Sequence, residues 1–369
     1  MANLSTLSKF PVRIQGIKRE SSRWNGGQRF DTTTGELSVA SPLISPGGRH
    51  DGIEGISQCQ PTTSPSKPLQ YHLYSIWLFT FSDLKTIVGP KTVFGILNAL
   101  AFPIFTSSTS PHSLPNLIQI LLRLPLIAFW AWINLLPFAI CNQRQPGALL
   151  EDQHNKPWRP LPSGRMTPTQ AKRLAVCLYA VACGVSARLG SLPQCMALVA
   201  LGLCYNEAGL ADSSCIARNA INGVGFACYA AGAVEVALGT TTLRLLQQPG
   251  FVRWLAVVAA VVFSTVQMQD FYDQRGDALR GRRTVPLVVG DGAARWLTAG
   301  LMAFWSVFCP WYWGLRLAPS AAFGVLGVVI LARTLTKRSV EEDKKTFLAW
   351  NVWMAFLYAL PLTKLLSER

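Results

Sequence analysis

VRWLAVVAAVVFSTVQMQDFYDQRGDALRGRRTVPLVVG, residues 252–290, opens on an apolar run whose only charge is Arg253, then meets Asp270, Asp273 and Asp277, with Arg280, Arg282 and Arg283 close behind. An apolar run of about 17–20 residues is the length that crosses a bilayer as a helix. Offsets of three, four and seven would place Asp270, Asp273 and Asp277 on one helical face. Like charges stacked this way repel, and a divalent cation relieves the repulsion. Mg²⁺ suits such a site because it is hard, takes oxygen ligands and is commonly held by one or two carboxylates plus substrate phosphates. The arginines add donors matched to phosphate oxygens. A merely solvated helix end accounts for a single Asp better than for three at this spacing.

Outward from this stretch, further apolar runs lie near 91–108, 117–141, 168–187, 192–208, 217–238, 293–313, 318–335 and 346–365. With 252–269 they predict an all-α integral membrane bundle of about nine transmembrane helices. Backbone polar groups in lipid must be satisfied within the segment, and the period-two alternation of a β-barrel is absent. Residues 71–89 carry Asp83 and Lys85 and read as an amphipathic helix leading into the bundle. If the N-terminus is cytosolic, the inside loops hold most of the arginine and lysine, as the positive-inside rule expects. Arg144, Lys156, Arg159, Arg165, Arg275, Arg280, Arg282 and Arg283 all fall there.

Composition agrees. The chain has 369 residues, 50% hydrophobic and only 14% charged, whereas soluble domains carry about a quarter charged residues. The net charge of +15 raises nucleic acid as a partner, but no zinc, helix-turn-helix or RNA-binding signature accompanies it. The lipid bilayer and an anionic substrate explain the basic loops, and no protein partner is expected. Nine cysteines without a CxxC pair read as small apolar residues. Residues 1–68, rich in Ser, Thr, Pro and Gly, are expected to be a disordered polar tail preceding a catalytic domain over 69–369. The basic start of the tail also fits a mitochondrial leader.

A second polar segment follows the run at 117–141, NQRQPGALLEDQHNKPWRP, residues 142–160. Asn142 and Asp152 offer oxygen ligands, while Lys156, Arg159 and Arg165 can neutralise a diphosphate. Pro146-Gly147 breaks the helix between them, so periodicity does not put Asn142 and Asp152 on one face. Both clusters end apolar helices on the same side of the membrane, where two lobes are placed to grip one diphosphate.

These residues resemble the UbiA prenyltransferase superfamily over roughly 70–369. The second motif matches DxxDxxxD followed by GRRTVPLVVG at 270–290. In the first motif Asn142 stands for its Asn and Asp152 for its last Asp, continued by NKPWRP at 155–160. The chain departs from the family at Gln143, often Asp, and at Ala148, where a metal-ligating Asp is common; Glu151 is the candidate replacement. The combination looks most like the fungal UbiA-type membrane-bound sesquiterpene cyclases. The resemblance implies Mg²⁺ held by Asn142, Glu151, Asp152, Asp270, Asp273 and Asp277, with Asp152, Asp273 and Asp277 as catalytic residues. Lys156, Arg159, Arg165, Arg282 and Arg283 would bind the diphosphate.

The expected activity is ionisation of a prenyl diphosphate, farnesyl diphosphate above all, with cyclisation to a sesquiterpene of fungal-type secondary metabolism. Transfer to an aromatic acceptor is the alternative. A transporter would place its charges near the midplane at broken helices, not at one face. The endoplasmic reticulum, with a cytosolic site, is the expected location, ahead of the mitochondrial inner membrane. Glu235, Asn219, Asn222 and the rings of Trp130, Trp132, Phe226 and Tyr229 are further candidates for the cavity, set against plain packing roles.

Overall fold

The computed structural model describes residues 67–106 and 116–368. The tail expected over 1–68 therefore lies, but for its last two residues, outside the described residues. Among the described residues there is no β-strand. The architecture is built by α1 (Leu69–Thr80), α2 (Gly89–Leu100), α3 (Leu124–Gln143), α4 (Pro146–Asn155), α5 (Pro168–Leu189) and α6 (Leu192–Gly202). It continues with α7 (Cys215–Leu238), α8 (Pro249–Thr265), α9 (Gln274–Arg280), α10 (Asp291–Tyr312), α11 (Leu317–Thr336) and α12 (Val340–Ser367).

Local chemistry sets the ends of these helices. Thr167 and Gln170 form a capping box before α5, with Pro168 in the first turn, and Gly190 ends the helix at φ 83°; proline at the start and glycine just past the end is the favoured asymmetry. Ser214 caps α7 through the Ala217 N–H. Ser339 caps α12, whose first turn carries Glu341, Glu342 and Asp343, where negative charge complements the helix dipole.

Among the described residues, every run read as apolar from the sequence is largely helical. Among the described residues, five helical segments are long and apolar enough to cross a membrane: Leu124–Gln143, Cys215–Leu238, Pro249–Asp270 (α8 with the turn that follows it), Leu317–Thr336 and Val340–Ser367. The others are shorter or more polar. α2 spans 12 residues, and α6 gives way at Leu203–Glu207 to a wider π-helical turn.

The bundle closes through α2, which packs on both α7 and α12; α3 packs on α5, α7 on α8, and α10 on α11. Small residues allow the tightest approach, the usual device between membrane helices. A Cβ at Gly223 would stand 2.7 Å from the Ala259 carbonyl oxygen. Some buried polar side chains pair across helices: Trp254 Nε1 donates to Asn98 Oδ1 at 3.0 Å, and Arg295 clamps Asp343 from two nitrogens at 2.8 and 2.7 Å.

One expectation is corrected. Asp270, Asp273 and Asp277 do not share one unbroken α-helix. α8 ends at Thr265, the chain tightens into a 3₁₀ turn over Val266–Asp270, and helix resumes at Gln274. Within the break Asp273 N–H donates to Asp270 O at 3.3 Å and Gln274 Nε2 to Phe271 O at 3.1 Å. Asp273 occupies the cap position of α9 without capping it, because its Oδ1 accepts from Asn155 Nδ2 at 2.8 Å.

Candidate active site

The two polar segments meet. α4 packs against α9, and a Cβ at Gly147 would lie 3.1 Å from Arg280 Cγ. Pro146 starts α4 after the turn at Arg144 and Gln145, as the sequence suggested. This turn swings α4 across the end of α3 and delivers Glu151 and Asp152 to the mouth of a cavity of about 220 Å³.

One carboxylate oxygen each from Glu151, Asp273 and Asp277 lie within 4.8 Å of one another. Gly276 makes the convergence possible: a Cβ there would fall 2.3 Å from Asn155 Nδ2, 3.0 Å from Asp273 Oδ1 and 3.1 Å from Glu151 Cγ. Glu151 and Asp277 are buried, 5% and 1% exposed. Burial raises the Glu151 carboxyl above its ordinary pKa; Asp273 and Asp277 push the same way, and Arg280 and Arg282 oppose them. Burial likewise raises Asp277, against Arg218 and Arg282. Asp277 Oδ1 accepts from Arg282 at 2.9 Å, while its Oδ2 is buried without a hydrogen-bond partner among the described residues. Closely spaced oxygens, elevated carboxyls and an orphaned buried acceptor together fit a small divalent cation, which would supply the missing charge.

The remaining predicted residues divide into groups. Asn142, Lys156, Arg159 and Arg282 line the cavity. Asp152 and Asp270 line it as well, but each faces a guanidinium: Arg159 NH1 donates to both Asp152 oxygens at 2.8 Å, and Arg218 NH1 stands 2.8 Å from Asp270. Arg165 is drawn to α1 instead. It donates to Ser75 Oγ at 3.0 Å and to the Tyr71 carbonyl at 3.1 Å, and lies 3.9 Å from the Tyr71 ring centroid. Arg283 is exposed.

Sequence reading passed over several residues that complete the site. Arg218 begins α7 beside the cavity, a charge at the head of an apolar helix one residue before the noted Asn219; that placement was the available signal. Asp212 bridges Arg280 at 3.0 Å and Arg282 at 2.9 Å. Asp83 also lines the cavity. Burial raises its carboxyl, opposed by Arg159 and Lys156.

The cavity wall also carries the aromatic rings of Phe226, Tyr229, Tyr272, Phe347 and Trp350. Of the polar pair, Asn222 reaches the cavity, whereas Asn219 bonds Phe263 O and Gln267 Oε1 at 3.1 and 3.2 Å. Trp130 and Trp132 have packing roles, donating to Ser186 Oγ and Thr80 Oγ1 at 2.9 Å. Glu235, buried near the opposite end of α7, accepts from Gln194 at 3.3 Å.

A model of the UbiA prenyltransferase family matches residues 150–358. The fumagillin beta-trans-bergamotene synthase of Aspergillus fumigatus is 27% identical over 291 residues, 79% of this chain and 92% of that protein. A polyprenyl transferase of Hericium erinaceus is 26% identical over 291 residues, 76% of this chain and 91% of that one. The fold is shared with a solved digeranylgeranylglyceryl phosphate synthase, 18% identical, at a TM-score of 0.52 over 80% of this chain and 99% of that structure. The chain belongs to the UbiA prenyltransferase family and is a membrane enzyme acting on a prenyl diphosphate.

Proposed function

We propose that the protein is a Mg²⁺-dependent terpene cyclase that ionises farnesyl diphosphate and closes its chain to a cyclic sesquiterpene, releasing diphosphate. The observation carrying this reading is the convergence of Glu151, Asp273 and Asp277 at a cavity whose wall also carries aromatic rings. Glu151, Asp273 and Asp277 would hold Mg²⁺, Glu151 taking the place of the acid absent at Ala148, while Asn142 lines the same cavity and its Oδ1 accepts from Arg280 at 3.2 Å. Bound there, Mg²⁺ supplies positive charge that stabilises the departing diphosphate. Lys156, Arg159 and Arg282, joined by Arg218 and Arg280, grip the phosphate oxygens through charge-assisted hydrogen bonds. Buried nitrogens without partners among the described residues, Arg159 Nε, Arg218 Nε and Arg282 NH2, support this assignment. Asp152 and Asp270 fix the Arg159 and Arg218 guanidiniums in place.

The hydrocarbon lies along α7. From Arg218 to Tyr229 the helix rises about 16 Å at ~1.5 Å per residue, a depth that suits a farnesyl chain. The faces of Tyr229, Phe347 and Trp350 stabilise positive charge on that chain, and their bulk keeps water from quenching it. Residues 69–369 form the catalytic unit, seated in the endoplasmic reticulum membrane with the cavity mouth cytosolic. Likeness to a bergamotene synthase over most of both chains supports cyclisation.

Likeness to a polyprenyl transferase favours a second reading, transfer to an aromatic acceptor. Microsomes bearing the protein, given farnesyl diphosphate and Mg²⁺ with no acceptor, distinguish the two. Cyclisation yields a volatile hydrocarbon; diphosphate release only after a phenol is added means transfer.

A further inference from the structure

Asp83 closes the 3₁₀ turn Phe81–Asp83 between α1 and α2, and a π-helical turn over Leu84–Val88 follows it. Single π-helical turns recur at functional sites, and Thr86 and Ile87 of this one line the cavity together with Asp83. Aspartate at the head of a helical turn ordinarily accepts from a backbone N–H of that turn, yet the Asp83 side chain makes no such bond. The other carboxylates lining the cavity are engaged. Glu151 stands 3.6 Å from Arg280, Asp152 pairs with Arg159, Asp270 with Arg218, and Asp273 accepts from Asn155. Among the described residues, no hydrogen bond or ion pair holds the Asp83 carboxylate, which leaves its oxygens to whatever occupies the cavity.

Burial works against the charge of Asp83, whereas Arg159 and Lys156 support it. That charge acts in turn on Tyr272, a ring of the cavity wall. The carboxylate therefore stands within electrostatic range of both the phosphate-binding cations and the aromatic lining. A cyclisation that ends in a hydrocarbon must shed one proton. A carbocation gives up a neighbouring proton to any base within reach, so the position of the base decides which proton is lost more than its strength does. We propose that Asp83 is a catalytic residue that ends the cyclisation, accepting the proton lost by the last carbocation. The C–H bond beside the cationic carbon breaks, its electron pair becomes the double bond of the product, and the proton rests on an Asp83 oxygen. Solvent takes that proton once the product leaves. This inference rests on the cyclisation reading above.

The test uses the full chain in microsomes with farnesyl diphosphate and Mg²⁺, reading both diphosphate release and the distribution of organic products. Asp83→Asn keeps the shape of the side chain and removes the acceptor. The parental hydrocarbon formed per diphosphate released should fall by roughly tenfold or more, below the 10²- to 10⁴-fold usual for a positioned acid or base because diphosphate competes for the proton. Alcohols from capture of water, or hydrocarbons with the double bond elsewhere, should take its place. Asp83→Glu, which restores a carboxylate, should recover part of the parental product. A parental distribution in Asp83→Asn shows that diphosphate or another group takes the proton, and overturns the inference. Slower diphosphate release with that distribution intact makes Asp83 a positioning residue for Lys156 and Arg159, and overturns it equally. If the Asn variant fails to accumulate, Asp83→Ser serves the same comparison. A parent chain that makes no hydrocarbon overturns the cyclisation reading and this inference together, whereas a productive parent with an indifferent Asp83→Asn overturns the inference alone.

Discussion

Asn155 Nδ2 donates a hydrogen bond to Asp273 Oδ1 at 2.8 Å, joining side chains 118 positions apart. The contact ties the end of α4 to the break before α9 and holds Asp273 away from capping its own helix. Outer partners that orient metal-binding carboxylates typically contribute about 10- to 100-fold to metal affinity or activity. Asn155→Ala should therefore lower turnover by roughly that factor and raise the Mg²⁺ concentration needed for half-maximal rate. An Ala variant with the parental Mg²⁺ requirement would show that the contact merely fastens two helices.

Gly276 gives a steric test of the same geometry. A methyl group there meets the exposed Asn155 amide at 2.3 Å and crowds Asp273 Oδ1 and Glu151 Cγ at 3.0 and 3.1 Å, so relieving the overlap displaces the Asn155–Asp273 contact or a carboxylate of the cluster. Gly276→Ala should reduce turnover at least tenfold while the protein still inserts and accumulates in membranes. Gly300→Ala is the control, because a Cβ there meets nothing within 4 Å and the residue is exposed on α10, away from the cavity lining. Equal activity in the two variants contradicts the site as described.

How much of this was legible beforehand depends on where the determining interaction lies. The apolar runs could be read because lipid leaves a chain no other way to satisfy its backbone. The acidic residues stood out because their charges are unusual at the end of such runs. The break at 271–273 is not legible in the spacing, since the contact Asp273 makes there is with Asn155, whose distance from Asp273 only the folded chain defines. Arg218 was legible in principle, one position before the noted Asn219, but its value lies in the buried pair with Asp270. Glu151 was found by the absence at Ala148, and α4 delivers it to Asp273 and Asp277.

The metal reading predicts a sharp dependence on carboxylates and cation. Asp277→Ala and Asp273→Ala should abolish measurable diphosphate release while leaving expression intact, and Glu151→Gln should raise the Mg²⁺ requirement well before it removes activity. Chelation should stop the reaction, and added Mg²⁺ should restore it. Ca²⁺ should substitute poorly, since it prefers longer bonds and more ligands than Mg²⁺. Turnover that persists in the chelator-treated enzyme would remove the cation from the mechanism.

Arg218 and Asp270 separate stability from catalysis. Both are buried, with side chains 6% and 1% exposed, and they pair at 2.8 Å. Removing one partner of such a pair strands a charge and costs about 3–5 kcal/mol, whereas replacing both with apolar residues is often neutral. Arg218→Met should thus lower the melting temperature of the detergent-solubilised protein, and Asp270→Leu added to it should restore most of the loss. Activity should not return with stability, because the double variant still lacks a guanidinium at the phosphate end of the cavity. The ratio of kcat/KM to melting temperature across the three proteins measures the two roles separately. Recovery of turnover alongside stability would assign Arg218 to the scaffold and leave the diphosphate to Lys156, Arg159, Arg280 and Arg282.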